Sequence, residues 1–292
     1  MTDAVRRLLD GIIDYAGLFP PAKLPMKESV DNFLRYRAGP EGWIMDRFVC
    51  ASANLADLAD ELKPRNLDEP VPVSVIGKAP TTAEDWGDSL VHDAEAMTRF
   101  IERVKDAADI EGYEIRVPDQ AGIADYVRDL RSFNQVEVYC ELPWTDGLKD
   151  SLGVIAEEEW LGAKARTGGL EPSAFPSPES LAEFLQQCHQ LEIKYKLTAG
   201  LHHPFRQGHM HGFLNAAIAA SLLQAHDLSK SEVKEILSEE DSAAFVLKDG
   251  KLAYKDLGAA LEDIDEARGL FVSYGCCSIE EPLDDLRKFG LC

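Results

Sequence analysis

The segment GAKARTGG (Gly162 to Gly169) and the segment KYKLTAGLHH (Lys194 to His203) hold the key to the fold. Each contains a short run of small and apolar residues that reads as a strand, Gly162–Arg166 and Ile193–Thr198. Between them lie a Gly/Pro/Ser-rich link, Gly168–Pro178, and a helical run, Glu179–Leu191. Two strands joined through a helix pair in parallel, because only a long crossover brings the second strand back in the same direction. Each strand also carries a lysine beside a Gly/Thr-rich turn, Lys164 before Thr167 and Lys196 before Gly200.

The same alternation continues outward in both directions. Strand-like runs start at Ile12 and cover Trp43–Ala51, Val71–Gly77, Tyr113–Val117, Val136–Leu142 and Leu270–Tyr274. Helical spacing separates them at Met26–Tyr36, Leu55–Leu62, Asp93–Ala107, Ile123–Phe133, Asp150–Trp160, Gly212–His226, Leu257–Ala267 and Glu280–Phe289. Eight strands with intervening helices predict an α/β protein, a (β/α)8 TIM barrel, occupying residues 1–292 as one domain. The segment Ser229–Asp256, with an Asp249-Gly250 hairpin signal, reads as an insertion before the last strand. A doubly wound open sheet is disfavoured because no strand leads into GxGxxG or a P-loop.

The chain has 292 residues and a formal net charge of −22, with 52 acidic against 30 basic side chains. Such a surface repels nucleic acid and anionic membranes, so neither is expected as a partner. The N-terminal apolar run is broken by Asp10 and Asp14, and no apolar stretch reaches the roughly 20 residues of a membrane helix. Six cysteines without CxxC spacing are expected as reduced thiols in a cytoplasmic protein. The apolar helix around Phe213–Leu223 is read as core or as a contact in a homo-oligomer.

In α/β barrels the chemistry lies at the C-terminal ends of the strands. Those ends carry Asp14 and Tyr15, Ser52, Lys78, Arg116, Glu141, Lys164 and Arg166, Lys196 with His202 and His203, and Ser273, Cys276 and Ser278. Lys164 and Arg166 share parity and point to the same side of their strand. Facing outward, both would be buried in apolar packing, so the barrel mouth is their cheaper position.

The run from Val136 to Gly200 resembles the corresponding part of deoxyribose-phosphate aldolase and related class I aldolases. There a strand ending in glutamate is followed by a helix, a strand ending in Lys-Thr-Ser-Thr-Gly, another helix and a strand of the form Lys-x-x-Gly-Gly. Here VEVYCEL ends near Glu141, then come Lys164 to Gly168, SPESLAEFL, and Lys196 to Gly200. The resemblance implies that Lys164 is a Schiff-base lysine and that Lys196 is the second lysine keeping it unprotonated, without a cofactor. A neighbouring ammonium disfavours a second positive charge and so frees an amine nucleophile. Glu141 would orient Lys164. Three positions depart from the family: Arg166 replaces a small hydroxyl residue, GLHHP replaces a phosphate-gripping turn, and Arg116 of YEIRVP lies near where a proton-shuttling aspartate is expected.

Other readings of the same residues stay open. The two lysines could bind a carboxylate or phosphate, with Arg166 and Thr167, or simply pair with inward acids such as Glu141. A small anionic carbonyl compound is the expected substrate, held by Arg166, Arg116, His202, His203 and the Asp14-Tyr15 pair. Ser278, near the start of the closing helix, is a candidate anion contact. A metal-dependent lyase or hydrolase is the alternative, using the histidines between His202 and His211 with Glu141 or Asp14. Cys276-Cys277 offers a possible nucleophile. A non-catalytic anion-binding barrel is the third reading.

Overall fold

The computed structural model describes residues 1–291. Eight parallel strands close into a barrel, as the alternation of strand and helix signals predicts. In chain order they begin with β1 (Ile13–Tyr15), β2 (Met45–Ala51), β3 (Val71–Ile76), β4 (Ala108–Arg116), β5 (Glu137–Glu141), β6 (Leu161–Arg166) and β7 (Tyr195–Thr198). A separate antiparallel sheet follows, β8 (Phe245–Lys248), β9 (Lys251–Tyr254) and β10 (Leu257–Ala259). The last strand, β11 (Phe271–Cys276), closes the barrel between β7 and β1. The helices are α1 (Asp3–Leu9), α2 (Met26–Arg37), α3 (Leu55–Leu62), α4 (Trp86–Val104), α5 (Ile123–Leu130), α6 (Leu148–Ile155), α7 (Pro178–Gln190), α8 (Phe213–Ala225), α9 (Lys230–Ser238), α10 (Leu261–Leu270) and α11 (Glu280–Lys288). Among the described residues no helix is long and apolar enough to cross a membrane.

The strands are short apolar runs because they are covered on both faces. The outward side chains, such as Tyr113, Ile115, Leu197 and Tyr274, pack beneath the helices and are fully buried. The inward side chains are of another kind. Ladder register sets Arg116 opposite Glu141, Glu141 opposite Lys164, Lys164 opposite Lys196, and Lys196 opposite Ser273. Barrels of this class are usually filled by layers of Val, Ile and Leu. Here the axis carries ions and hydroxyls: Arg47, Asp14, Ser74, Glu114, Lys164, Lys196 and Ser273 are all buried.

Some boundaries differ from expectation. α4 starts at Trp86, not Asp93, because Thr82 and Asp85 form a capping box that begins a helical turn upstream. α10 starts at Leu261; the residues before it, expected as helix from Leu257, form β10, and the Asp263 carboxylate accepts from Ala260 N–H to cap the helix. The Asp249-Gly250 turn does join two antiparallel strands, with Gly250 at φ +68°. α8 is buried on every side by α7, α9 and α10, so it is core and has no face left for a subunit contact. The five described cysteines carry free, buried thiols; Cys292 lies outside the described residues.

Candidate active site

A cavity of about 590 Å³ opens at the C-terminal end of the barrel. Its floor is built by Asp14, Glu114, Glu141 and Lys164, and its rim by Arg116, Arg166 and His202. The strands deliver these groups directly, since alternate residues of β4, β5 and β6 point to the axis.

The floor is an alternating row of charges. Lys196 is fully buried, and its three N–H bonds all have acceptors. Its Nζ lies 2.5 Å from Asp14 Oδ2, 2.5 Å from Glu114 Oε1 and 3.3 Å from Ser74 Oγ. The Ser74 hydroxyl also lies 2.6 Å from Glu114 Oε1, and the Ser273 hydroxyl donates to Asp14 Oδ2 at 2.7 Å. Asp14 is held from behind by Arg47 N–H at 3.2 Å. Lys164 is looser. Its Nζ is 2.9 Å from Glu114 Oε2 and 3.1 Å from Glu141 Oε2. Neither contact is aligned as a hydrogen bond, and Glu114 Oε2 is left without a donor. Lys164 lines the cavity and is 5% exposed, whereas Lys196 is 0% exposed and lies below the floor.

Electrostatics follow from this stacking. Burial alone would lower the Lys164 pKa, but the charges of Glu114 and Glu141 outweigh it and hold the pKa above the ordinary lysine value. Lys196 is raised in the same way, burial being outweighed by Asp14 and Glu114. Burial would raise Glu114; Lys196 and Lys164 together hold it far below the carboxylate range. This corrects the expectation that Lys196 keeps Lys164 unprotonated. A carboxylate stands between the two ammoniums, so each lysine sees an anion before it sees the other cation.

Glu114 is the residue that sequence reasoning missed. It lies two positions before Arg116 on β4 and shares its inward parity, which YEIRV already displays. Arg116 lies farther out, at the rim, and is exposed. Among the described residues Arg116 makes no ion pair, and the Arg166 side chain makes only an Nε–H bond to Gly168 C=O at 3.1 Å. Two guanidinium forks are therefore left to meet an anion at the rim.

Several expected residues lie elsewhere. Tyr15 alternates with Asp14 and points outward, into Phe33 and Phe48. Thr167 is buried, and its hydroxyl donates to Ala199 C=O at 2.5 Å, tying the end of β6 to the turn after β7. His203 turns away to Asp285 on α11, with Nδ1 2.7 Å from Oδ2. His202 stays at the rim, 3.1 Å from Glu281 Oε2. Ser278 accepts from Glu281 N–H at 3.3 Å and does not line the cavity. His211 is buried between Pro176 C=O and Arg206, and burial lowers its pKa to about 4. His209 packs edge-on to Phe175. The histidines thus face separate surroundings, and among the described residues no three His, Cys, Asp or Glu side chains are grouped to hold a metal. Cys277 lines the cavity, but burial raises its thiol pKa, the opposite of an activated nucleophile.

Searches against protein-family models, curated proteins and solved structures find no match to this chain.

Proposed function

We propose that this barrel is an aldolase-like lyase or an isomerase acting on a small anionic carbonyl compound through an iminium at Lys164. The observation that carries the reading is one buried lysine, facing a cavity, with carboxylates on two sides and a second, saturated lysine beneath. The fourth-strand carboxylate strengthens the likeness to class I aldolases, because Glu114 touches both lysines.

The raised pKa of Lys164 is compatible with this chemistry. An ammonium and a carbonyl become an iminium and water with no net change in charge at Nζ. Carboxylates that hold the ammonium therefore also hold the iminium. Attack requires the amine, so the proton passes first from Lys164 to a neighbouring carboxylate. Glu141 Oε2, 3.1 Å away at the cavity edge and touching one lysine only, is the acceptor we assign, since Glu114 is held ionised between two ammoniums. The same proton returns to the carbinolamine hydroxyl, which leaves as water. Lys196 keeps Asp14 neutralised and fixes Glu114 in place. Glu141, half-buried at the cavity edge, is the acid/base for the substrate carbons or hydroxyl. Arg116 and Arg166 hold the substrate anion at the rim.

Borohydride reduction in the presence of aldehydes and ketones tests this. The expected result is a mass increase on the peptide containing Lys164. Turnover without any lysine adduct would point to a second reading, which the raised pKa favours: Lys164 remains an ammonium and stabilises an enolate without a covalent bond.

A further inference from the structure

The cavity has two unlike sides, and this bears on what fills it. On the β4–β6 side are the guanidiniums of Arg116 and Arg166. Across the barrel, four strands from β6 in the closed order, β2 presents Val49, and its neighbour β3 presents Ile76. The loop after β1 adds Phe19 and Pro21 to this wall, whereas Phe175 and Leu170, in the loop after β6, cover the side of Arg166. Leu170 lines the cavity yet is 77% exposed, an apolar surface that a bound molecule would cover. Lys164 projects from β6 into the floor, two residues before Arg166 on the same strand. A molecule with its carbonyl at Lys164 therefore meets planar cationic forks in one direction and apolar walls in the other.

The corner beyond the last strand offers little to a phosphate. The first turn of α11 carries Glu280 and Glu281; Glu281 pairs with His202, and its N–H is taken by the Ser278 hydroxyl. A helix start with two acids, and with that donor already occupied, opposes a dianion. Guanidinium forks match the two oxygens of a carboxylate, and an apolar wall disfavours a polyhydroxylated chain.

Building on the reading of Lys164 as the carbonyl-binding group, we infer that the substrate class is a 2-oxo acid with an apolar body, branched or aromatic, and not a phosphorylated hydroxyaldehyde. The carboxylate faces Arg116 and Arg166, the carbonyl faces Lys164, and the apolar body lies against Val49, Ile76, Phe19 and Pro21.

Calorimetric titration of the intact chain tests this with pyruvate, 4-methyl-2-oxopentanoate, phenylpyruvate, glyceraldehyde 3-phosphate and inorganic phosphate, with borohydride trapping in parallel. At least one of the two apolar oxo acids should bind about tenfold or more tighter than pyruvate. Arg116→Gln and Arg166→Gln should each weaken that binding by about tenfold, and Phe19→Ala should narrow the gap to pyruvate. Failure of all three oxo acids to bind, equal affinity for them, or tighter binding of glyceraldehyde 3-phosphate or phosphate would overturn the assignment. Apolar oxo acids that bind without an adduct on Lys164 would leave the substrate class standing and remove the iminium. An adduct formed only with glyceraldehyde 3-phosphate would keep the iminium and remove the class.

Discussion

Lys164 and Lys196 stand opposite each other on neighbouring strands, yet they have different surroundings. Lys196 holds two buried carboxylates and a hydroxyl, so truncating it strands two charges in a medium that cannot solvate them. Lys196→Met should cost about 3–5 kcal/mol of folding stability, read from urea unfolding. Lys164→Met should cost clearly less, because Glu114 keeps Lys196 and Glu141 borders the cavity, while the borohydride adduct disappears. Stabilities that are equal in the two variants would contradict this division of roles. Glu114→Gln gives a different readout. It removes the nearest charge that raises Lys164, so the pH at which adduct formation reaches half its maximal rate should move down. An unmoved profile would show that Glu141 alone sets the lysine. Glu114 itself was within reach of the sequence: Glu114 and Arg116 share parity, and both had to point inward. Attention to the outermost charge of the strand hid the one beneath it. The expectation for Lys196 failed for the same reason, since the effect of one cation on another cannot be judged without the carboxylate between them.

At the scale of elements, β5 and β6 are shaped to each other at Gly162. A Cβ there would come within 2.6 Å of the Tyr139 ring and 2.7 Å of Lys194 C=O. Tyr139 fills that space and lies over Lys196, with Nζ 5.2 Å from the ring centroid. Gly162→Ala should therefore push Tyr139 into the ion row, costing about 1–3 kcal/mol of stability and lowering adduct formation at Lys164. Unchanged thermal unfolding and unchanged adduct yield would show that the ring has room to move. The strands were legible because parallel strands covered on both faces leave short apolar runs, each ending where polar residues reach the mouth. The ends of helices were less so. α4 gains its first turns from a capping box whose acid is Asp85, and β10 pairs with β9 across only three residues. Three residues carry no readable period, and Leu257-Gly258-Ala259 says nothing by itself about which partner it will find.

For the whole molecule, stability should depend on pH through a few buried groups whose signs can be stated. Glu114 is depressed below the ordinary glutamate value of 4.5, so its contribution is full above that pH and is lost as the pH falls further. Lys164 and Lys196 are raised above 10.5, so theirs is full below that pH and is lost on the alkaline side. Within the acid range His211, lowered from 6.5 to about 4 chiefly by burial, takes up its proton more readily when unfolded. Its contribution to stability therefore rises with pH between about 4 and 6.5. Asp46, raised to about 6 by burial and by Asp14, works against this between 3.8 and about 6. His211→Gln leaves Asp46 unopposed, so urea midpoints in the variant should fall with rising pH between 3.8 and about 6, and a wild-type profile surviving the substitution would refute the assignment. One feature of the interior bears on heat. Water solvates charged groups less favourably as temperature rises, so the cost of keeping them dry shrinks on warming, while the gain from burying hydrocarbon levels off. A barrel axis filled with opposed ions, from Asp14 through Lys196 and Glu114 to Lys164, is thus a filling whose relative worth grows as the molecule is warmed.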